Sequence, residues 1–161
     1  VVRILPEPAF VAALGDLYQL SGRDKEARAQ YALVEQSAKL SQAKGNLYNR
    51  QLALFYADHD WQAEAAYELA KKEYEARRDV YGADALAWTA CKVGHLTEAQ
   101  AASKDALRLG TKDARFWYHA ALIANASGNK AEAVKLLKQA LQLNPQFDPL
   151  QVSIARKMLT E

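Results

Sequence analysis

Between Asp113 and Phe147 the apolar and small residues fall in two runs of helical spacing. Trp117, Ala120, Ala121 and Ala124 recur at three- and four-residue steps, and so do Ala133, Leu137 and Ala140. Each run places one stripe along one helix face, so the pattern predicts two helices facing each other as a hairpin. Gly128 ends the first helix, Asn129 with Glu132 reads as a capping box that opens the second, and Asn144-Pro145 stops it.

The same pattern recurs upstream with a period of 34 residues. In 80–113, Leu86, Ala87 and Ala90 take the first stripe, Gly94 the turn, and Ala99 and Ala106 the second stripe. In 46–79, Leu52, Ala53 and Tyr56 precede Ala65 and Leu69, while Lys72 and Arg77 depart from the pattern. In 8–41, Leu14, Gly15 and Tyr18 precede Gly22, then Ala27, Tyr31 and Val34. The Gln42–Gly45 insertion separates this unit from the next and predicts an extra turn on its second helix. After 114–147, Asp148-Pro149 opens a last helix over about 149–160, with Val152, Ala155, Met158 and Leu159 on its apolar face and Gln151, Arg156 and Lys157 toward water.

These residues resemble the tetratricopeptide repeat (TPR) family, whose pattern is a Trp, then Leu-Gly, Tyr, Ala, Phe, Ala and Pro at fixed steps. Leu14, Gly15 and Tyr18 match it in the first unit, and Trp117, Ala133, Ala140 and Pro145 in the fourth. The stretches ADALAW, LRLGTKDA and ALQLNPQFDPL are also similar to a group of uncharacterised bacterial TPR proteins. The resemblance implies an all-α chain: a right-handed α-solenoid of four helix-turn-helix repeats, 8–41, 46–79, 80–113 and 114–147, with a C-terminal capping helix. It makes 1–161 one domain in which each hairpin buries its stripes against its neighbours. Ala65, Ala99 and Ala133 are expected at the points of closest helix approach.

Composition narrows the chemistry. Hydrophobic residues at 50% and charged residues at 25% suit a folded core. The formal net charge of +2, from 21 basic and 19 acidic residues, is too balanced for a nucleic-acid footprint. No apolar run approaches the roughly 18 residues of a membrane span. A single cysteine, Cys91, precludes an internal disulfide. Its place late in a helix reads as a small packing residue rather than a reactive thiol. The opening Val1-Val2-Arg3-Ile4-Leu5-Pro6 lacks an initiator methionine and the regions of a signal peptide, so the sequence reads as a fragment joined upstream through its apolar N-terminus. Compartment stays open.

The candidate site follows from the resemblance, since first helices of TPR proteins line a concave, partner-binding face. The positions the family turns inward hold Asp16 and Gln19, Arg50 and Gln51, Tyr81, Asp84 and Trp88, and Arg115, Tyr118 and His119. Arg50, Gln51, Tyr81, Asp84, Trp88, Arg115, Tyr118 and His119 are therefore the expected partner-binding set, aromatic and Arg residues being the usual anchors of interfaces. Trp88 stands one turn from the family's Trp position and reads either as an anchor or as packing between helices. Trp117 reads as core, and Trp61 as a lid on a hairpin end or an exposed contact. Where chaperone-binding members hold a terminal carboxylate with Lys and Asn residues, this chain has Arg50, Leu54, Ala85, Arg115 and His119. Two cations remain for an acidic group, both asparagines are missing, and no chaperone partner is implied.

No metal or cofactor is expected. Asp58, His59 and Asp60 cluster at a turn where polar residues are ordinary, and the histidines have no ligand spacing. The charged run from Glu68 to Arg78 reads as a solvated outer face, with Glu73 and Arg77 spaced to pair. Phosphate-binding loops, zinc-protease helices and nucleophile elbows are absent, so no enzymatic activity is expected. The sequence thus predicts a non-catalytic scaffold for a peptide, helix or partner domain. Self-association into a homo-oligomer and service as a regulatory arm of a larger protein are the alternatives.

Overall fold

The structure, a computed structural model, describes residues 7–43 and 49–160. The expected N-terminal junction (Val1, Val2, Ile4, Leu5) and the end of the Gln42–Gly45 insertion lie outside the described residues. Among them run nine helices: α1 (Pro8–Leu20), α2 (Asp24–Ala43), α3 (Asn49–Asp58), α4 (Ala63–Ala76), α5 (Val80–Lys92), α6 (Leu96–Leu107), α7 (Ala114–Ala126), α8 (Lys130–Leu143) and α9 (Gln151–Met158). α1 to α8 pack as sequential antiparallel pairs, each second helix also meeting the next first helix, while α1, α3, α5 and α7 touch in order.

Local chemistry sets the boundaries. Pro8 opens α1 at a position where its missing N–H costs nothing. Asp79 and Asp113 cap α5 and α7 by accepting the backbone N–H of Gly82 and Arg115, and Asn129 caps α8 by accepting that of Glu132. Gly128 turns between α7 and α8 at φ +83°, a conformation glycine reaches freely. The equivalent place between α3 and α4 is held by Asp60 at φ +53°, followed by Gln62 at φ +43°.

That unusual turn corrects one register. The buried alanine that matches Ala27, Ala99 and Ala133 in α4 is Ala66, while Ala65 is exposed. The next small-residue position of α4 is filled by Glu73 rather than Lys72, and Glu73 is buried. A charged outer face therefore describes only part of the 68–78 run. Glu73 pairs with Arg50 at 2.6 Å and Arg77 at 3.1 Å, and Gly82 leaves room for this cluster, since a Cβ there would lie 3.1 Å from Glu73 Oε2 and 3.2 Å from an Arg50 nitrogen.

The core is shared between pairs. Tyr31, Val34 and Phe55 join α2 to α3; Tyr67, Leu86, Ala99 and Ile123 join α4, α5, α6 and α7; Leu136, Leu137 and Ala155 join α8 to α9. α2 spans 20 residues against 14, 12 and 14 in α4, α6 and α8, so the added chain lengthens this helix. Trp117 is half-buried against the last cluster, and Trp61 sets its edge against Tyr31 and Phe55 at the hairpin end. Cys91 is half-buried in α5, where burial pushes its thiol pKa up. Among the described residues no helix is long and apolar enough to cross a membrane.

Ala133 is 2% exposed on α8, so Ala133→Leu should destabilise the fold by about 1–3 kcal/mol through overpacking. Chemical denaturation measures this; an unchanged midpoint would show that position to be slack.

Candidate functional site

Half of the expected binding set comes together beneath the surface rather than on it. Asp84 is 4% exposed, Trp88 2%, Tyr118 0% and His119 3%. Trp88 thus takes the packing alternative: its ring stacks on His119 at 4.7 Å and 11°, and its Nε1–H donates to Asp58 Oδ1 at 2.8 Å. His119 Nδ1 lies 3.0 Å from both carboxylate oxygens of Asp84, and its Nε2 is 3.9 Å from Asp58 Oδ1.

A polar ring closes around these contacts. Tyr118 donates its hydroxyl to Gln151 Oε1 at 2.6 Å, and Gln151 Nε2 donates to the Asp58 carbonyl at 3.1 Å. The ring ties the end of α3 to α5, α7 and the start of α9. Gln151, expected in water, is buried because its amide satisfies both ends of this link. Asp148 orients it by accepting the N–H groups of Leu150 and Gln151 at 2.9 Å.

The remaining four residues are dispersed. Arg50 is held by Glu73 and by Asp79 at 2.9 Å, so its guanidinium is committed inside the fold. Tyr81 is exposed, edge-on to Phe116 at 5.1 Å. Arg115 keeps 52% of its side chain accessible and pairs with Asp113 at 3.5 Å. Gln51 presents an Oε1 that is buried and has no hydrogen-bond partner.

Gln51 and Arg115 meet at a cavity of about 250 Å3 between α1, α2, α3 and the Phe147–Gln151 segment. Ala9, Ala12, Ala13, Leu54 and Phe55 give it apolar walls, while Asp16, Asp58, His59 and Asp148 join Gln51 and Arg115 in its polar lining. His59 Nε2 lies 2.8 Å from Asp16 Oδ1, which also accepts the Tyr31 hydroxyl at 2.8 Å. Asp58, His59 and Asp148 escaped the sequence-based set. Their only sequence signals are an acidic-histidine turn and an Asp-Pro helix start, both ordinary in loops. Neither protein-family models nor curated proteins match the chain.

The site is electrostatically tense. Burial pushes the Asp58 carboxyl above its ordinary value, and the charge of Asp148 adds to this against the pull of His119. Burial alone would lower both buried histidines. Asp84, with Asp58 behind it, outweighs burial at His119, and the Asp16 hydrogen bond does so at His59, so both pKa values end up raised.

Both histidines bind their proton more tightly folded than unfolded. The stability they contribute is complete below the ordinary histidine value of 6.5 and is lost as pH rises through their raised values. Urea midpoints should therefore fall as pH rises above the ordinary histidine value of 6.5, and the slope should flatten in a His59→Gln, His119→Gln double variant. A midpoint that rises over this window would contradict the assignment.

Proposed function

We propose that the chain is a TPR-type right-handed solenoid of four hairpins with a capping helix, acting as a non-catalytic scaffold that holds a segment of a partner protein. The 34-residue spacing between the starts of α5 (Val80) and α7 (Ala114) supports the repeat reading. So do the small residues Gly15, Ala53, Ala87 and Ala121 at matching first-helix positions. The observation that carries the binding reading is the α1–α3 cavity with its unpartnered Gln51 Oε1, because a buried acceptor without a donor is a place for a ligand to complete. Trp88, Tyr118, His119 and Asp84 serve here as the rigid support behind the cavity, and Gln51 and Arg115 as contacts.

Ala13 is only half-buried at the cavity wall, so a larger side chain can enter the space without displacing the core. Ala13→Phe should leave the melt nearly unchanged and weaken capture of a partner protein by about tenfold or more. Undiminished capture by a folded variant would place the binding surface elsewhere.

A second reading, self-association, is favoured by α1. Phe10 is 70% exposed and Leu17 53%, whereas the residues at the same repeat positions in later first helices, Phe116 and Phe55, are 3% and 5% exposed. In the later units the preceding hairpin covers that stripe. A second copy supplying this cover would make the molar mass rise with concentration toward two chains, and Phe10→Lys with Leu17→Lys would return it to one. A constant single-chain mass in light scattering would dismiss the reading.

A further inference from the structure

The cavity between α1 and α3 has a charge balance opposite to the one its arginine suggests. Arg115 already faces Asp113 at 3.5 Å, and His59 is matched to Asp16 at 2.8 Å. Asp58 has His119 at 3.9 Å behind it, but that ring is held closer by Asp84 at 3.0 Å, and Asp148 forms no ion pair among the described residues, so the lining keeps an acidic remainder. Gln51 adds an Oε1 that accepts and finds no donor. Two carboxylates and an amide oxygen call for a ligand rich in donors and positively charged. An anionic group would meet repulsion from both aspartates and leave Gln51 unsatisfied.

The walls limit the ligand further. Ala9, Ala12 and Ala13 along α1 face Leu54 and Phe55 of α3, which suits methylene groups rather than a second polar moiety. The volume of about 250 Å3 holds one long side chain and excludes a helix or a folded domain. An ammonium has three donors and no acceptor, which suits a lining rich in acceptors.

We infer that this cavity is a lysine pocket: it takes the aliphatic stem and ammonium of a lysine from an extended partner segment, with Asp58, Asp148 and Gln51 receiving the charged end. This rests on the partner-binding reading above and names the residue the partner must offer.

The test is a calorimetric and NMR titration of the full chain with three blocked pentapeptides, alanine throughout except for a central lysine, norleucine or glutamate. The lysine peptide should bind at least about tenfold more tightly than either control, with shifts at Gln51 and Leu54. Asp58→Asn with Asp148→Asn keeps the acceptors for Trp88 Nε1 and for the Leu150 and Gln151 N–H groups, so it should fold normally and lose the lysine preference. Equal binding of the norleucine peptide at the cavity would overturn the lysine assignment and leave the scaffold reading intact. Preference for glutamate, or a preference that survives the double variant, would also overturn it. Binding of none of the three would overturn it as well, and the scaffold reading would then be decided by the Ala13→Phe capture experiment alone.

Discussion

Everything in this chain depends on how closely the two helices of each pair approach. Gly15, Ala53, Ala87 and Ala121 line the contact on the first helices, and Ala27, Ala66, Ala99 and Ala133 on the second. Side chains this small bring helix axes toward the lower end of the usual range, near 8 Å, and leave the neighbouring stripes free to meet the next pair. At the first pair the glycine is required: a Cβ on Gly15 would lie 2.4 Å from the Tyr31 ring. Tyr31 therefore occupies the room a side chain would need, and its hydroxyl reaches Asp16 on the far side. A backbone requirement thus sets the position of a carboxylate at the cavity.

The approach of pairs also forces ionisable groups inside. His119, Asp84 and Asp58 would be costly to bury singly, but they neutralise part of one another's charge and find hydrogen bonds from Trp88 and each other. The ring through Tyr118, Gln151 and the Asp58 carbonyl spans 93 residues of sequence, so it ties α9 back to the second hairpin. Its cost is an excess of carboxylate over cation near Asp58, and that excess faces the cavity. The same cluster that orders the first helices gives their shared face its polarity.

The hairpins were legible from sequence because their signals are local: a stripe every three or four residues, a glycine at a turn, an Asp or Asn cap. The α4 register was not, because Asp60 and Gln62 adopt left-handed conformations that residues other than glycine rarely take, and their turn shifts the alanine stripe by one. Burial of individual polar residues was legible least of all. Gln151 and Glu73 look like surface residues on their own helices, and only partners on other helices, Tyr118 and Arg50, make burial favourable. Trp88 illustrates the same limit: its departure from the repeat pattern was visible, but its role was decided by His119 and Asp58, which lie a hairpin away on either side.

The net charge left on a face follows the same logic. Among the expected inward positions, Arg50 and Arg115 left two cations for an acidic group. Pairing inside the fold reverses that count: Arg50 is spent on Glu73 and Asp79, Arg115 on Asp113, and His119 on Asp84. Charges that remain after such pairing, rather than those present in the sequence, determine which ligand a cleft can desolvate at little cost. At the α1–α3 cavity the remainder is acidic, and the unpartnered Gln51 Oε1 points the same way, since it too asks for a donor.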